Sequence, residues 1–249
     1  MQKKRTKMLK IGKSCVIILL DESNEKLQKV RRILFTEGSL NKKYVDKPIG
    51  IAEEKNMSNE TENYQQNNLQ LFDNLNGKTS DDLVTKFELD KMLPVRLDKV
   101  FEYCDVEVLP TDFKTYEENP EISKIVDEKG LILGAVAVNN GKINILYKKD
   151  DSKHRQRFTI AHELAHCCLN ADELATNGHV DYRLDIEEAT KDEFAANVFA
   201  GELLIPKKTL DTLYKVIKRP KIGVLSEIFD VSENVMMARL KYLKLPFEN

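Results

Sequence analysis

Phe158-Thr159-Ile160-Ala161-His162-Glu163-Leu164-Ala165-His166 places two histidines four positions apart, with a glutamate directly after the first. On an α-helix, residues i and i+4 lie one turn apart on the same face, so both imidazoles can reach one metal ion. Glu163 projects to the side of that face, where its carboxylate can hold and deprotonate a water. Outward from the motif, Arg155-Gln156-Arg157 leads in and Cys167-Cys168-Leu169 continues. Phe158, Ala161, Ala165, Cys168 and Leu169 recur at helical spacing, which predicts a partly buried helix from about Ser152 to Asn170. Asp151 or Ser152 suits the N-cap, because a short oxygen-bearing side chain accepts from the free N–H groups of the first turn.

A catalytic metal held by an H-E-x-x-H motif needs a third protein ligand. The longer pattern H-E-x-x-H-x-x-G-x-x-H is excluded, since its Gly would fall at Leu169 and its third His at Asp172. The chain has 4 histidines, and His179, in the turn-like Asn177-Gly178-His179, is the remaining downstream imidazole. A carboxylate on a second helix is the stronger candidate. The segment from Glu187 to Pro206 reads as a long helix that the proline stops. On it, Glu193 shares a face with Ala196, Asn197 and Ala200, a small and mostly apolar surface suited to close packing. A carboxylate aimed into such a contact is costly unless it is paired or bound to metal. Glu187, Glu188 and Glu202 read as solvent-facing charges. The residue pattern therefore favours Glu193, with His179 next.

These two blocks carry a family resemblance. Phe158–His166, with Glu193-x-x-Ala196-Asn197-x-Phe199-Ala200-x-x-Leu203-Leu204-x-Pro206 beginning 27 residues after His166, resembles the ImmA/IrrE family of metallopeptidases, over about residues 90–245. The resemblance implies a zincin-like, gluzincin-type site, with His162, His166 and Glu193 as ligands of one zinc ion (Zn2+) and Glu163 as catalytic base. It also implies a substrate class: members of the family cut or otherwise inactivate a DNA-binding transcriptional repressor, often one encoded nearby on a mobile element or in a stress regulon. The chain departs from the family pattern twice. Ala165 stands where a Gly commonly precedes the second His, and the first 85 or so residues have no counterpart in the family.

At 249 residues the chain is long enough for one sizeable core plus an appendage. A net charge of −2 and a mean hydropathy of −0.44 call for neither a nucleic-acid nor a membrane partner. The apolar run Cys15–Leu20 is far too short to span a bilayer. It also lacks the length and small-residue cleavage site of a signal peptide. Cys15, Cys104, Cys167 and Cys168 show no disulfide framework, so a reducing, cytoplasmic setting is expected. Cys167 and Cys168 read as small buried hydrophobes behind the metal helix.

Charge is uneven along the chain. Residues 1–50 hold 13 Lys/Arg against 5 Asp/Glu, and residues 51–90 hold 3 Lys against 9 Asp/Glu. The predicted division is a basic N-terminal segment (1–50), a polar acidic linker (51–85) rich in Asn, Gln, Ser and Thr, and the peptidase-like domain (86–249). In the first segment, Ile11 to Leu20 resembles a strand. Asn24 to Phe35 resembles a helix with Leu27, Val30 and Leu34 on one face. The cluster Lys3-Lys4-Arg5-Lys7-Lys10 has the charge for DNA or RNA, but no nucleic-acid fold accompanies it, and a solvated basic terminus is expected.

The fold class expected is α+β, with a small antiparallel sheet and a helical C-terminal part. Residues from Leu93 to Cys104 suit a short helix and Val106–Leu109 a strand. Leu131–Val138 and Lys142–Tyr147 suit two strands joined by Asn139-Asn140-Gly141, a strong hairpin turn because Asn and Gly tolerate positive φ. An edge strand of that sheet could pair with an extended substrate. Leu225–Leu240 resembles a helix-turn-helix with Ser232 as the cap of its second helix. Met236, Leu240 and Leu243 look like packing positions and few basic residues line that helix, so packing or partner docking is expected over DNA binding. The function expected is a zinc-dependent endopeptidase acting on a repressor. The alternatives are a non-catalytic zinc-containing regulator that sequesters a repressor or toxin, and a DNA-binding regulator. Tyr147, His179 and Tyr182 are unranked candidates for a second oxyanion donor.

Overall fold

The computed structural model describes residues 5–11, 14–20, 31–35, 66–113, 132–139, 141–177, 179–182 and 191–248. The chain divides into two units: residues 1–70 with Asp172–Gly178, and Leu71–Ala171 with His179–Asn249. In the first unit, β1 (Arg5–Ile11), β2 (Ser14–Leu20) and β3 (Arg31–Phe35) form an antiparallel sheet in that order. Arg5 lies opposite Leu20, and Cys15 opposite Phe35. The helix expected over 24–35 is therefore corrected for its last five residues. Pairing with β2 satisfies their backbone, and a β-rich Ile-Leu-Phe run suits a strand better than a short 3.6-residue period suits a helix. Residues 24–30 lie outside the described part, as do Lys3 and Lys4.

The second unit begins inside the segment expected to be a linker. Phe72, Leu75 and Leu83 are fully or almost fully buried. The Gly77 N–H donates to the Cys168 carbonyl (2.9 Å). Helix α1 (Ser80–Lys86) starts in a capping box, in which Thr79 and Asp82 each accept from the other's backbone N–H. The linker boundary at residue 85 is thus corrected: residues 71–85 are packed structure. A polar composition is no bar to this, because one stripe of Phe72, Leu75, Leu83 and Val84 suffices to dock the segment.

Beyond α1 come α2 (Asp98–Cys104), β4 (Val106–Thr111), β5 (Ile132–Asn139) and β6 (Lys142–Lys148). With β7 (His179–Tyr182) they build a four-stranded sheet in the order β4-β6-β5-β7. The β5–β6 hairpin forms as expected, with Val136 opposite Ile145 and Gly141 at φ 72° in its turn. The sheet is mixed, however, and not antiparallel throughout: β4 runs parallel to β6. Apolar alternation marks a strand and its buried face but carries no direction for its neighbour, so this pairing is invisible in the sequence.

Helix α3 (Lys153–Leu169) carries the H-E-x-x-H motif. Its N-cap is Ser152, whose hydroxyl accepts from the Arg155 N–H. Every residue from Ala161 to Cys168 is buried, because α3 lies against β5 and β6 on one side and α5 (Lys191–Leu204) on the other. Val136, Ile143 and Ile145 are among the residues the sheet contributes to the core, and Ala196 and Ala200 allow close approach of α5. Between α3 and β7 runs α4 (Ala171–Asn177), which from Asp172 on belongs to the first unit. There the Ala175 carbonyl accepts from Asn68 Nδ2 (3.1 Å).

The C-terminal helices are α6 (Lys207–Val216), α7 (Ile222–Phe229) and α8 (Glu233–Tyr242). Ser232 caps α8, and Met236 and Leu240 are fully buried. Arg239 is also buried and donates to the Ile205 carbonyl and to Glu202 Oε1. Glu202 Oε2 accepts from Ser80 Oγ (2.8 Å). Glu202, expected to face solvent, therefore ties α1, α5 and α8 together. The helix-turn-helix-like pair is built into this core. Among the described residues no helix is long and apolar enough to cross a membrane.

Candidate metal centre

Two helices assemble the site. From α3 come His162 and His166, both buried, and from α5 comes Glu193, whose side chain keeps 16% exposure. The Nε2 atoms of the two histidines face each other at 3.1 Å. His162 Nε2 lies 3.2 Å from Glu193 Oε2, and His166 Nε2 lies 3.5 Å from Glu193 Oε1. Zinc bonds of about 2.0–2.2 Å at tetrahedral angles set neighbouring donor atoms about 3.3–3.6 Å apart. The three separations lie at or just below that spacing, with the two histidines meeting different oxygens of the carboxylate, and these residues are the group among those described that could hold a metal ion.

The outer ring nitrogens point the same way. His162 Nδ1 lies 3.1 Å from Asn197 Oδ1, and His166 Nδ1 lies 3.2 Å from Asn170 Oδ1. An amide oxygen only accepts, so each Nδ1 carries the proton in these contacts and each Nε2 keeps its lone pair for the centre of the cluster. Two lone pairs and a carboxylate converging on one point repel one another unless a cation lies between them. Where a proton rather than a metal ion sits between them, hydrogen bonds from His162, and then His166, hold the Glu193 carboxyl well below the usual carboxylate range despite the opposing effect of burial. Glu193 is thus anionic at neutral pH, as a metal ligand must be. Burial pushes the Cys167 and Cys168 thiols up, so they stay protonated and poorly suited to binding metal.

Glu163, which follows His162 on α3, is fully buried. The sheet makes room for it at Gly134 on β5. A Cβ there would stand 2.4 Å from Glu163 Oε1 and 2.6 Å from Thr159 Cγ2. Tyr147 is the cross-strand partner of Gly134, and directly opposed residues present their side chains on the same face of a sheet. Tyr147 therefore rises from the face that covers Glu163. Substituting Gly134→Ala is expected to destabilise the protein by about 1–3 kcal/mol, the usual effect of overpacking. An unchanged denaturation midpoint would mean that the Glu163 carboxylate has another place to go.

Residues 129–241 match the model of the IrrE N-terminal-like domain, Peptidase_M78. Over that span the chain is similar to the ImmA/IrrE family of metallopeptidases. Neither a curated protein nor a solved structure matches the chain significantly. The IrrE-like domain contains α3 and α5 whole, and with them His162, Glu163, His166 and Glu193. Of the other residues singled out from the sequence, His179 and Tyr182 lie on β7, an edge of the sheet. Glu187 and Glu188 lie outside the described residues.

Sequence reasoning missed three contributors to the site of the IrrE-like domain. Gly134 had a signal: a lone glycine inside a strand marks a close approach by another group. Asn197 had one as well, as the polar member of the otherwise small, apolar face that holds Glu193. Asn170 was visible as a helix end, but its side-chain contact depends on a ring orientation that spacing does not give.

Proposed function

We propose that this chain is a zinc-dependent endopeptidase whose substrate is a DNA-binding transcriptional repressor. The observation that supports the chemistry is the convergence of His162 Nε2, His166 Nε2 and the Glu193 carboxylate at tetrahedral spacing, with the buried Glu163 beside them. A zinc ion held by these three residues would polarise the peptide carbonyl and acidify a water. Glu163 takes the proton of the attacking water on its carboxylate and passes it to the leaving amine nitrogen. The water-poor surroundings of Glu163 strengthen its interaction with the developing charge. Among the three oxyanion candidates, the register of β5 and β6 favours Tyr147, since it stands on the sheet face above Glu163. β7 and β4 are the sheet's edges, and an extended substrate segment pairs with such an edge by backbone hydrogen bonds.

The repressor as substrate rests on the family resemblance. The test is incubation of the zinc-loaded protein with DNA-binding proteins encoded beside its gene, with products read by mass spectrometry. One internal cut, abolished by a metal chelator and restored by zinc, is the expected result. A stable complex with an intact repressor would replace cleavage by sequestration. Direct nucleic-acid binding gains no support from α8, because Met236, Arg239 and Leu240 are turned into the core.

A further inference from the structure

We infer that Asn197 and Asn170 are positioning residues that select the metal-facing tautomer of the two histidines, and that α5 delivers a ligand and an orienting group as one rigid unit. The inference rests on the metal-site reading above and deepens it.

Glu193 and Asn197 are four apart on α5, hence one turn apart on the same face. Glu193 meets the Nε2 atoms of both histidines, while Asn197 Oδ1 meets the opposite side of the His162 ring, 3.1 Å from Nδ1. His162 is therefore gripped on both ring nitrogens by a single helix turn. Any slide of α5 along α3 loses the carboxylate and the ring orientation together.

His166 is held within its own helix. The backbone N–H of Asn170 donates to the His166 carbonyl (2.8 Å), ending α3, while Asn170 Oδ1 lies 3.2 Å from His166 Nδ1. One residue thus closes both the backbone and the side chain of the ligand. Both orienting groups are neutral amides, so Glu193 and Glu163 remain the carboxylates at the centre. A divalent cation bound here keeps more of its charge for the substrate than it would with carboxylates behind both rings.

Asn197 offers the cleaner test, since it is exposed on α5 and alanine is the better helix former. The metal-free Asn197→Ala protein is expected to melt no lower than the parent. Its zinc affinity, read by competition with a chromophoric chelator, is expected to fall by about 10–100-fold, the usual effect of losing an outer-shell partner. Asn197→Asp keeps an acceptor at the same place and is expected to restore affinity to within a few-fold of the parent. With cobalt in place of zinc, the visible bands of fully loaded Asn197→Ala are expected to differ from those of the parent, because the His162 ring is no longer fixed. Equal zinc affinity in parent and Asn197→Ala would overturn the inference. Weakening in both Asn197→Ala and Asn197→Asp would overturn the acceptor role. A parent that takes up no zinc would overturn the metal site and this inference with it, and is told apart because the parent itself fails.

Discussion

Glu163→Gln is expected to keep the metal and lose peptide-bond cleavage. The substitution preserves the shape of the side chain, so the space left by Gly134 beside Glu163 Oε1 is filled as before. None of the three candidate ligands is altered. An amide cannot accept the proton of an attacking water, and removing a positioned general base costs typically ~10²–10⁴ in rate. The paired measurement is zinc content per chain and cleavage of the proposed repressor substrate. A Gln variant with full metal and activity within a few-fold of the parent would end the assignment of Glu163 as base. One that keeps the biological effect while cutting nothing would favour sequestration.

Glu193→Ala is expected to show the largest loss of metal. Complete zinc sites in small domains yield about 10–16 kcal/mol, so one of four coordination positions corresponds to roughly 3–4 kcal/mol, or a few-hundred-fold in affinity. Alanine also removes the single negative charge among the three ligands and leaves two neutral imidazoles, a poor match for a divalent cation. Chelator competition reads this directly. Metal retained undiminished in Glu193→Ala would send the search for the third ligand to His179 on β7.

The parts legible in the sequence share a physical reason. The motif helix was readable almost to the residue because its period, its cap at Ser152 and its metal spacing all lie within one short stretch. The meeting of Glu193 with the two histidines was readable because a carboxylate on a face of alanines needs a partner. The β5–β6 hairpin was readable from its turn. What escaped depends on contacts between distant segments. The parallel β4–β6 pairing has no local signature. The docking of residues 71–85 hides behind a polar average, although Phe72 and Leu75 mark its buried side. Glu202 looked like a surface charge because its partners, Ser80 and Arg239, lie 122 and 37 positions away.

That last trio bears on how the protein can be cut for experiments. The family match begins at residue 129, yet the helix that carries Glu193 is braced from behind by α1 through Ser80 and by α8 through Arg239. A fragment trimmed to the matched boundary would strip away Phe72, Leu75 and Leu83 and leave the brace half open. A minimal fragment that keeps this brace and the core beneath it therefore starts no later than residue 71 and retains α8 to its end.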